Sequence, residues 1–124
     1  MKTVKLVLRL LLGAGMIMFG LNKYLHFMDM PPMDPAMGEW MGAIGKTGFM
    51  FPIAGAVQII TGLAFLLNKF VPLALIILLP VMLIAFLSHL FLDIAGIPGS
   101  AVFLALIIFQ MVSHKESYKE LFKA

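Results

Sequence analysis

Residues 70–92, FVPLALIILLPVMLIAFLSHLFL, run for twenty-three positions without an aspartate, glutamate, lysine or arginine. A helix of that length crosses the ~30 Å hydrocarbon core of a bilayer, whereas a helix on the surface of a soluble domain carries a polar face. Three more segments approach the same length and character, at 4–24, 48–67 and 97–112. The last is short for a bilayer, so it is expected to tilt, gain turns at one end or thin the membrane around it. Of the 124 residues 62% are hydrophobic, against roughly 45 to 50% in soluble domains, and a soluble core cannot consume that much apolar surface. The expected fold is all-α: a polytopic membrane protein with one domain over residues 1–124, built as an antiparallel bundle of four transmembrane helices.

Turn chemistry orders the spans. Asn68 and Lys69 separate the second and third, with Pro72 in the first turn of the next helix, where its missing N–H does no harm. These two spans are therefore expected to be antiparallel neighbours. DIAGIPG at 93–99 supplies a second helix breaker, with Pro98 placed to start the fourth span. Residues 25–47 remain as the one long connection and 113–124 as a tail. Cytoplasmic flanks of membrane helices carry the excess of lysine and arginine. Lys2, Lys5, Arg9, Lys69, Lys115, Lys119 and Lys123 fall on one side, against Lys23 and Lys46 on the other. Both termini are expected in the cytoplasm, and the 25–47 loop outside it. The first twenty residues have the basic and apolar parts of a signal peptide, but Arg9 interrupts the apolar stretch and no small-x-small cleavage site follows, so they read as a retained helix. The tail, HKESYKELFKA, is expected as a short surface helix with Tyr118, Leu121 and Phe122 available to lipid or a partner.

Lipid tails are as apolar as leucine, so helices in a bilayer associate through small residues and interhelical hydrogen bonds. Gly48, Gly55 and Gly62 recur every seven residues in the second span, and Arg9, Gly13, Met16 and Gly20 share one face of the first. Gln58 lies near the glycine stripe, so Arg9 and Gln58 are the candidate inward polar groups, and Arg9 is either within reach of Gln58 or snorkels to the interface. Pro80 is expected to kink the third span, as a packing feature or as the lining of a ligand path. At the outer end, Asn22 and His26 are four apart, as are His89 and Asp93, so each pair shares a helix face. A carboxylate one turn from an imidazole orients its tautomer and suits it to proton transfer or to a hydrogen bond with a quinone carbonyl. The plainer alternative is that His89 caps a helix end and Asp93 begins the turn. Asn22, His26, His89 and Asp93 are the candidate ligand-binding residues.

Several chemistries are disfavoured. The chain has no cysteine, which removes thiolate metal sites and thiol catalysis. Met28, Met30, Met33, Met37 and Met41 form a thioether cluster of the kind that selects Cu(I), but without a repeated motif they read better as apolar filler. No compact histidine or carboxylate spacing supports haem or zinc, so no metal is assigned. The net charge of +3 is scattered and not gathered in a stripe, which argues against nucleic acid. No catalytic motif is present and no catalytic residue is assigned.

The segments RLLLGAGMIMFGLNKYLHF, GFMFPIAGAVQIITGLAFLLNKFVPLAL and SHLFLDIAGIP resemble the DoxX-like family of small four-helix membrane proteins over nearly the whole chain. The resemblance implies a bacterial-type inner (plasma) membrane location. Some relatives are linked to thiosulfate:quinone oxidoreductase or to membrane redox assemblies, so a non-catalytic subunit or accessory factor of a quinone-linked assembly is the leading expectation, with a redox-protein partner or a homo-oligomer and quinone as the one cofactor suggested. Arg9 and Lys69 match basic positions of the family. Gln58 departs from it, because relatives often carry glutamate there, and a charged Arg–Glu pair is impossible in this chain. A small transport or ligand-binding bundle, lined by Arg9, Gln58 and Pro80, and a purely structural assembly factor are the alternatives.

Overall fold

The computed structural model describes residues 2–25 and 34–122. Five α-helices are present: α1 (Lys2–Leu25), α2 (Pro35–Lys46), α3 (Met50–Leu67), α4 (Val71–Leu92) and α5 (Ile97–Ser113). A 3-10 turn, Ile94–Gly96, precedes α5, and a second 3-10 segment, Lys115–Phe122, follows it. There is no strand among the described residues. Four helical stretches, Lys2–Leu25, Met50–Leu67, Val71–Leu92 and Ile94–Ser113, are long and apolar enough to cross a membrane. Their outward faces carry exposed Ile60, Leu73, Ile77, Ile84 and Val102, as expected where the solvent is lipid. His26 lies outside the described residues, as do Met28, Met30 and Met33.

The long connection contains more structure than expected. Pro35 sits in the first turn of α2, where its fixed φ favours helix. Met37, Trp40, Met41 and Ile44 then fall at helical spacing, and Met37 is buried. Thr47 links α2 to α3: its hydroxyl donates to Ile44 O at 2.7 Å and accepts from Met50 N at 3.2 Å. Gly48 follows with φ of 77°, a conformation that suits glycine and ends any helix running through it. The second span therefore starts at Met50, and Gly48 lies outside the packing stripe to which its seven-residue spacing assigned it. Pro80 is exposed on the outside of α4, so it does not line the bundle interior.

The interior is a set of seams, one per helix, with residues spaced alternately three and four apart. Leu12 and Met16 of α1, Phe65 of α3, Val71, Ala74, Leu75, Leu78 and Met82 of α4, and Ile107 of α5 form the buried apolar core. α1 packs on α3 and α5, and α4 packs on the same two helices. The α1–α3 contact is the closest, because glycines face glycines. A Cβ on Gly62 would stand 2.8 Å from Gly13 O, and one on Gly20 would stand 2.8 Å from Gly55 O. The Tyr24 hydroxyl continues the line by donating to Pro52 O. On the α1–α5 side, Phe19 and Phe103 meet edge to face at 5.4 Å, and the fully buried Gln110 donates from Nε2 to Lys5 O at 3.0 Å.

The tail folds back onto the bundle instead of offering Tyr118 to the surroundings. Tyr118 is buried, and its hydroxyl donates to Pro72 O at 2.8 Å. Pro72 begins α4, so this bond ties the chain's last segment to the turn between α3 and α4. Leu121 is exposed, as expected.

Two sets of variants test this packing. Gly20→Ala and Gly62→Ala should each destabilise the detergent-solubilised protein by ~1 to 3 kcal/mol, the cost of an overpacked interior, because the added methyl meets backbone that cannot move aside. Gly42→Ala, in a helix with nothing near the new methyl, should be neutral or stabilising by up to about 1 kcal/mol in the same melting experiment. Tyr118→Phe should cost about 1 kcal/mol and expose the tail to proteolysis. Burial holds the Tyr118 phenol above the usual tyrosine range. Since the protonated form is the donor, the strap's contribution is complete below the ordinary tyrosine pKa and is lost as pH rises through the raised value. An alkaline titration followed by proteolysis reads that loss in the wild type but not in Tyr118→Phe.

Candidate functional site

The seams change character along their length. α1 runs from Leu12 and Met16 to Lys23, α3 from Phe65 to Gln58, α4 from Leu78 and Met82 to His89, and α5 from Ile107 to Ser100. In each case apolar side chains give way to polar ones along the helix. The buried apolar core stops at the level of Met82.

Two polar groups meet across α1 and α3. Lys23 Nζ donates to Gln58 Oε1 at 2.7 Å, and Gln58 Nε2 lies 3.6 Å from Met82 Sδ, a weak acceptor. Gln58 is only 5% exposed. Its cation is thus Lys23 and not Arg9. The register explains why: Gly20 stands against Gly55 and Gln58, while Arg9 is three turns away toward the N-terminus. Thr61, one turn from Gln58, donates to Val57 O at 2.7 Å and leaves its own helix no unpaired hydroxyl.

His89 and Asp93 form the second group. Asp93 closes α4, its N–H donating to His89 O at 3.0 Å and its carbonyl accepting from Gly96 N at 3.1 Å. That turn carries Gly96 back beneath the imidazole, where any Cβ would overlap the ring. His89 Nδ1 lies 3.8 Å from Asp93 Oδ2, beyond hydrogen-bond distance. Nδ1 is fully buried and has no hydrogen-bond partner among the described residues, while the Asp93 carboxylate is itself mostly buried. A buried imidazole nitrogen without a partner costs on the order of 1–3 kcal/mol, so the arrangement favours any group that supplies one.

Asn22 is half-buried beside Lys23 in α1. α1 and α4 pack on the same two helices, so Asn22 and the His89–Asp93 pair belong to opposite members of the bundle. Arg9 is partly buried near the other end, where its Nε has no hydrogen-bond partner among the described residues. Next to His89 on α4, Trp40 Nε1 donates to Ser88 Oγ at 2.9 Å and docks α2 over an open, almost wholly apolar groove of ~300 Å³ between Trp40 and Ile84, Leu87, Phe91 and Leu92. No group of three histidines and carboxylates that would hold a metal occurs among the described residues.

Sequence reasoning missed Lys23 and Gln110 as inward-facing groups, and the exposed Trp40–Ser88 bond that docks α2. For the first two a signal existed. Arg9, Gly13, Met16, Gly20 and Lys23 are spaced four, three, four and three apart, so Lys23 continues the inward face of α1. Ser100, Phe103, Ile107 and Gln110 repeat the pattern on α5. Trp40 depends on a helix within the long connection, which its prolines obscured.

No curated protein and no solved structure matches the chain. A family model, DoxX, matches residues 4–91, which takes in α1, α2, α3 and nearly all of α4. With four membrane-length helices and that match over most of its length, the chain is an integral membrane protein that belongs to the DoxX family.

Proposed function

We propose that the protein is a non-catalytic membrane subunit or accessory factor of a quinone-linked redox assembly in a bacterial-type inner membrane. In this reading the bundle is antiparallel, with both termini cytoplasmic. The opposed Gly13–Gly62 and Gly20–Gly55 contacts support the alternation of direction. Lys2, Lys5, Arg9, Lys69, Lys115 and Lys119 at one end support the orientation, against Lys23 and Lys46 at the other.

The observation that carries the reading is the buried His89 Nδ1 without a hydrogen bond. An imidazole that donates from Nδ1 fits a quinone carbonyl, which the nitrogen meets when the ring turns off Gly96. Asp93 Oδ2 stands 3.8 Å from Nδ1, and Gly96 leaves room for the imidazole. Asn22 lines the opposite wall in this proposal. The bound quinone supplies the redox chemistry; the chain's residues bind it, orient it and keep water from it. Electron transfer belongs to the partner assembly, since the chain has no cysteine and its described residues form no metal cluster.

Gentle extraction from native membranes followed by quantitation of bound quinone tests the reading. His89→Ala should lower the quinone-to-protein ratio more than about tenfold, the equivalent of one lost hydrogen bond plus packing, with little change in melting temperature. If the His89→Ala, Asp93→Asn double variant retains the wild-type ratio, the site does not hold quinone. Gly96→Ala provides a graded case. Its methyl must displace the His89 ring, a side chain that can turn aside, so stability should change by less than about 1 kcal/mol while quinone retention falls.

A further inference from the structure

Lys23 places an ammonium within a membrane-length helix, half-buried, with a neutral amide as its hydrogen-bond partner. Among the described residues no carboxylate lies within ion-pair distance of it, and both Asp34 and Glu39 are exposed. A cation removed from water inside a bilayer is costly unless it is paired or reaches the interface. An amide dipole offsets only part of that cost. The ammonium has three N–H donors, and Gln58 occupies one of them.

Gln58 is fixed where it stands. It is 5% exposed, its Cβ lies against Gly20, and its Nε2 rests on Met82 Sδ. Its carbonyl oxygen therefore acts as a stationary acceptor that positions Nζ. Tyr24 and Leu25, the next residues on α1, are exposed, so the ammonium lies close to the open end of the helix.

We propose that Lys23, held by Gln58, forms an oxyanion site that takes a carboxylate, phosphate or sulfate group, of a free anion or of a lipid headgroup, on its remaining N–H donors. The site is built from the α1–α3 interface alone and stands whether or not the His89–Asp93 pair holds quinone. Charge-assisted hydrogen bonds from an ammonium are about twice as strong as neutral ones, and they strengthen further where water is excluded. The geometry also specifies how to close the site from within: Gln58→Glu would put a carboxylate oxygen where the amide oxygen now accepts from Lys23.

Thermal melting of the purified full chain tests the proposal. The protein in nonionic detergent is titrated with sodium acetate, phosphate or sulfate at constant ionic strength, and compared in phosphatidylcholine nanodiscs with and without phosphatidylglycerol. The expected result is a saturable rise in melting temperature with at least one of these oxyanions. Lys23→Met should weaken the apparent affinity more than about tenfold, as loss of a charged hydrogen-bonding group does, and Lys23→Arg should retain most of it. Gln58→Glu should melt higher than wild type without anion and no longer respond to it. A response to soluble anions in detergent assigns a free anion, and one confined to phosphatidylglycerol assigns a headgroup. The proposal is overturned if no saturable response occurs in either setting, or if Lys23→Met responds like wild type. It is also overturned if Gln58→Glu keeps the anion response. If Lys23→Met does not fold, Lys23→Arg and Gln58→Glu decide the matter.

Discussion

The bundle depends on how closely the backbone of α1 approaches that of α3. In lipid there is no hydrophobic gain in bringing two apolar helices together, so association rests on packing and on bonds that lipid cannot offer. Gly13 against Gly62 and Gly20 against Gly55 remove the side chains that would hold the helices apart. The approach is close enough for the last turns of α1 to reach α3: Tyr24 to Pro52 O, and Lys23 to Gln58. A wider spacing would leave the Gln58 carbonyl oxygen buried without this donor. The same contact that assembles the fold therefore sets the geometry of the Lys23–Gln58 pair.

Around that pair the interior is zoned. Phe65, Leu75, Leu78 and Ile107 fill the middle of the bundle, and polar side chains take over the seams toward both ends. Zoning of this kind concentrates the packing energy in one layer and leaves the ends to be held by individual hydrogen bonds, such as Tyr118 to Pro72 O and Trp40 to Ser88. Such ends open at lower free energy than the core does, which is where a bundle of four helices can admit a ligand without unfolding.

Much of the fold was legible because membrane helices announce themselves by length and apolarity, and because glycine spacing marks faces. Gly13, Met16 and Gly20 are buried on one face of α1 as their spacing implies, and Gly62 and Gly55 of α3 meet the two glycines. What was not legible is register. Nothing in the sequence says whether Gln58 is level with Arg9 or with Lys23; that follows from where the connection lets α3 begin, and Gly48 with its φ of 77° delays the helix to Met50. In the sequence Lys23 reads as a charge flanking a loop, since a lysine beside a helix end looks solvated. Helix α2 is hidden for a related reason: proline and glycine in 25–47 outweigh the helical spacing of Met37, Trp40, Met41 and Ile44. Tyr118 looked like a surface aromatic because nothing local to HKESYKELFKA reveals that Pro72, forty-six residues earlier, offers it a carbonyl. The candidate pair His89 and Asp93 was visible by its four-residue spacing, but the turn that brings Gly96 beneath the imidazole was not.

The two polar layers differ in the hydrogen-bonding groups they leave over. At the α1 N-terminal end, the buried atoms without partners among the described residues are Arg9 Nε, a donor, and Gln110 Oε1, an acceptor. Gln110 is anchored on Lys5 O, one turn from Arg9 on α1, so this layer leaves one donor and one acceptor over. At the other end the groups left over are of a different kind. Lys23 has donors beyond the one used on Gln58, and the buried Nδ1 of His89 stands too far from Asp93 to bond with it. Lys23 and His89 thus stand on two separate helices, each with hydrogen-bonding capacity that the described side chains leave unused. An oxyanion at Lys23, as proposed, would take up the donors that Gln58 leaves over, while the Asp93 carboxylate, one turn along α4 and 3.8 Å away, is an acceptor that a modest side-chain rotation would bring to His89.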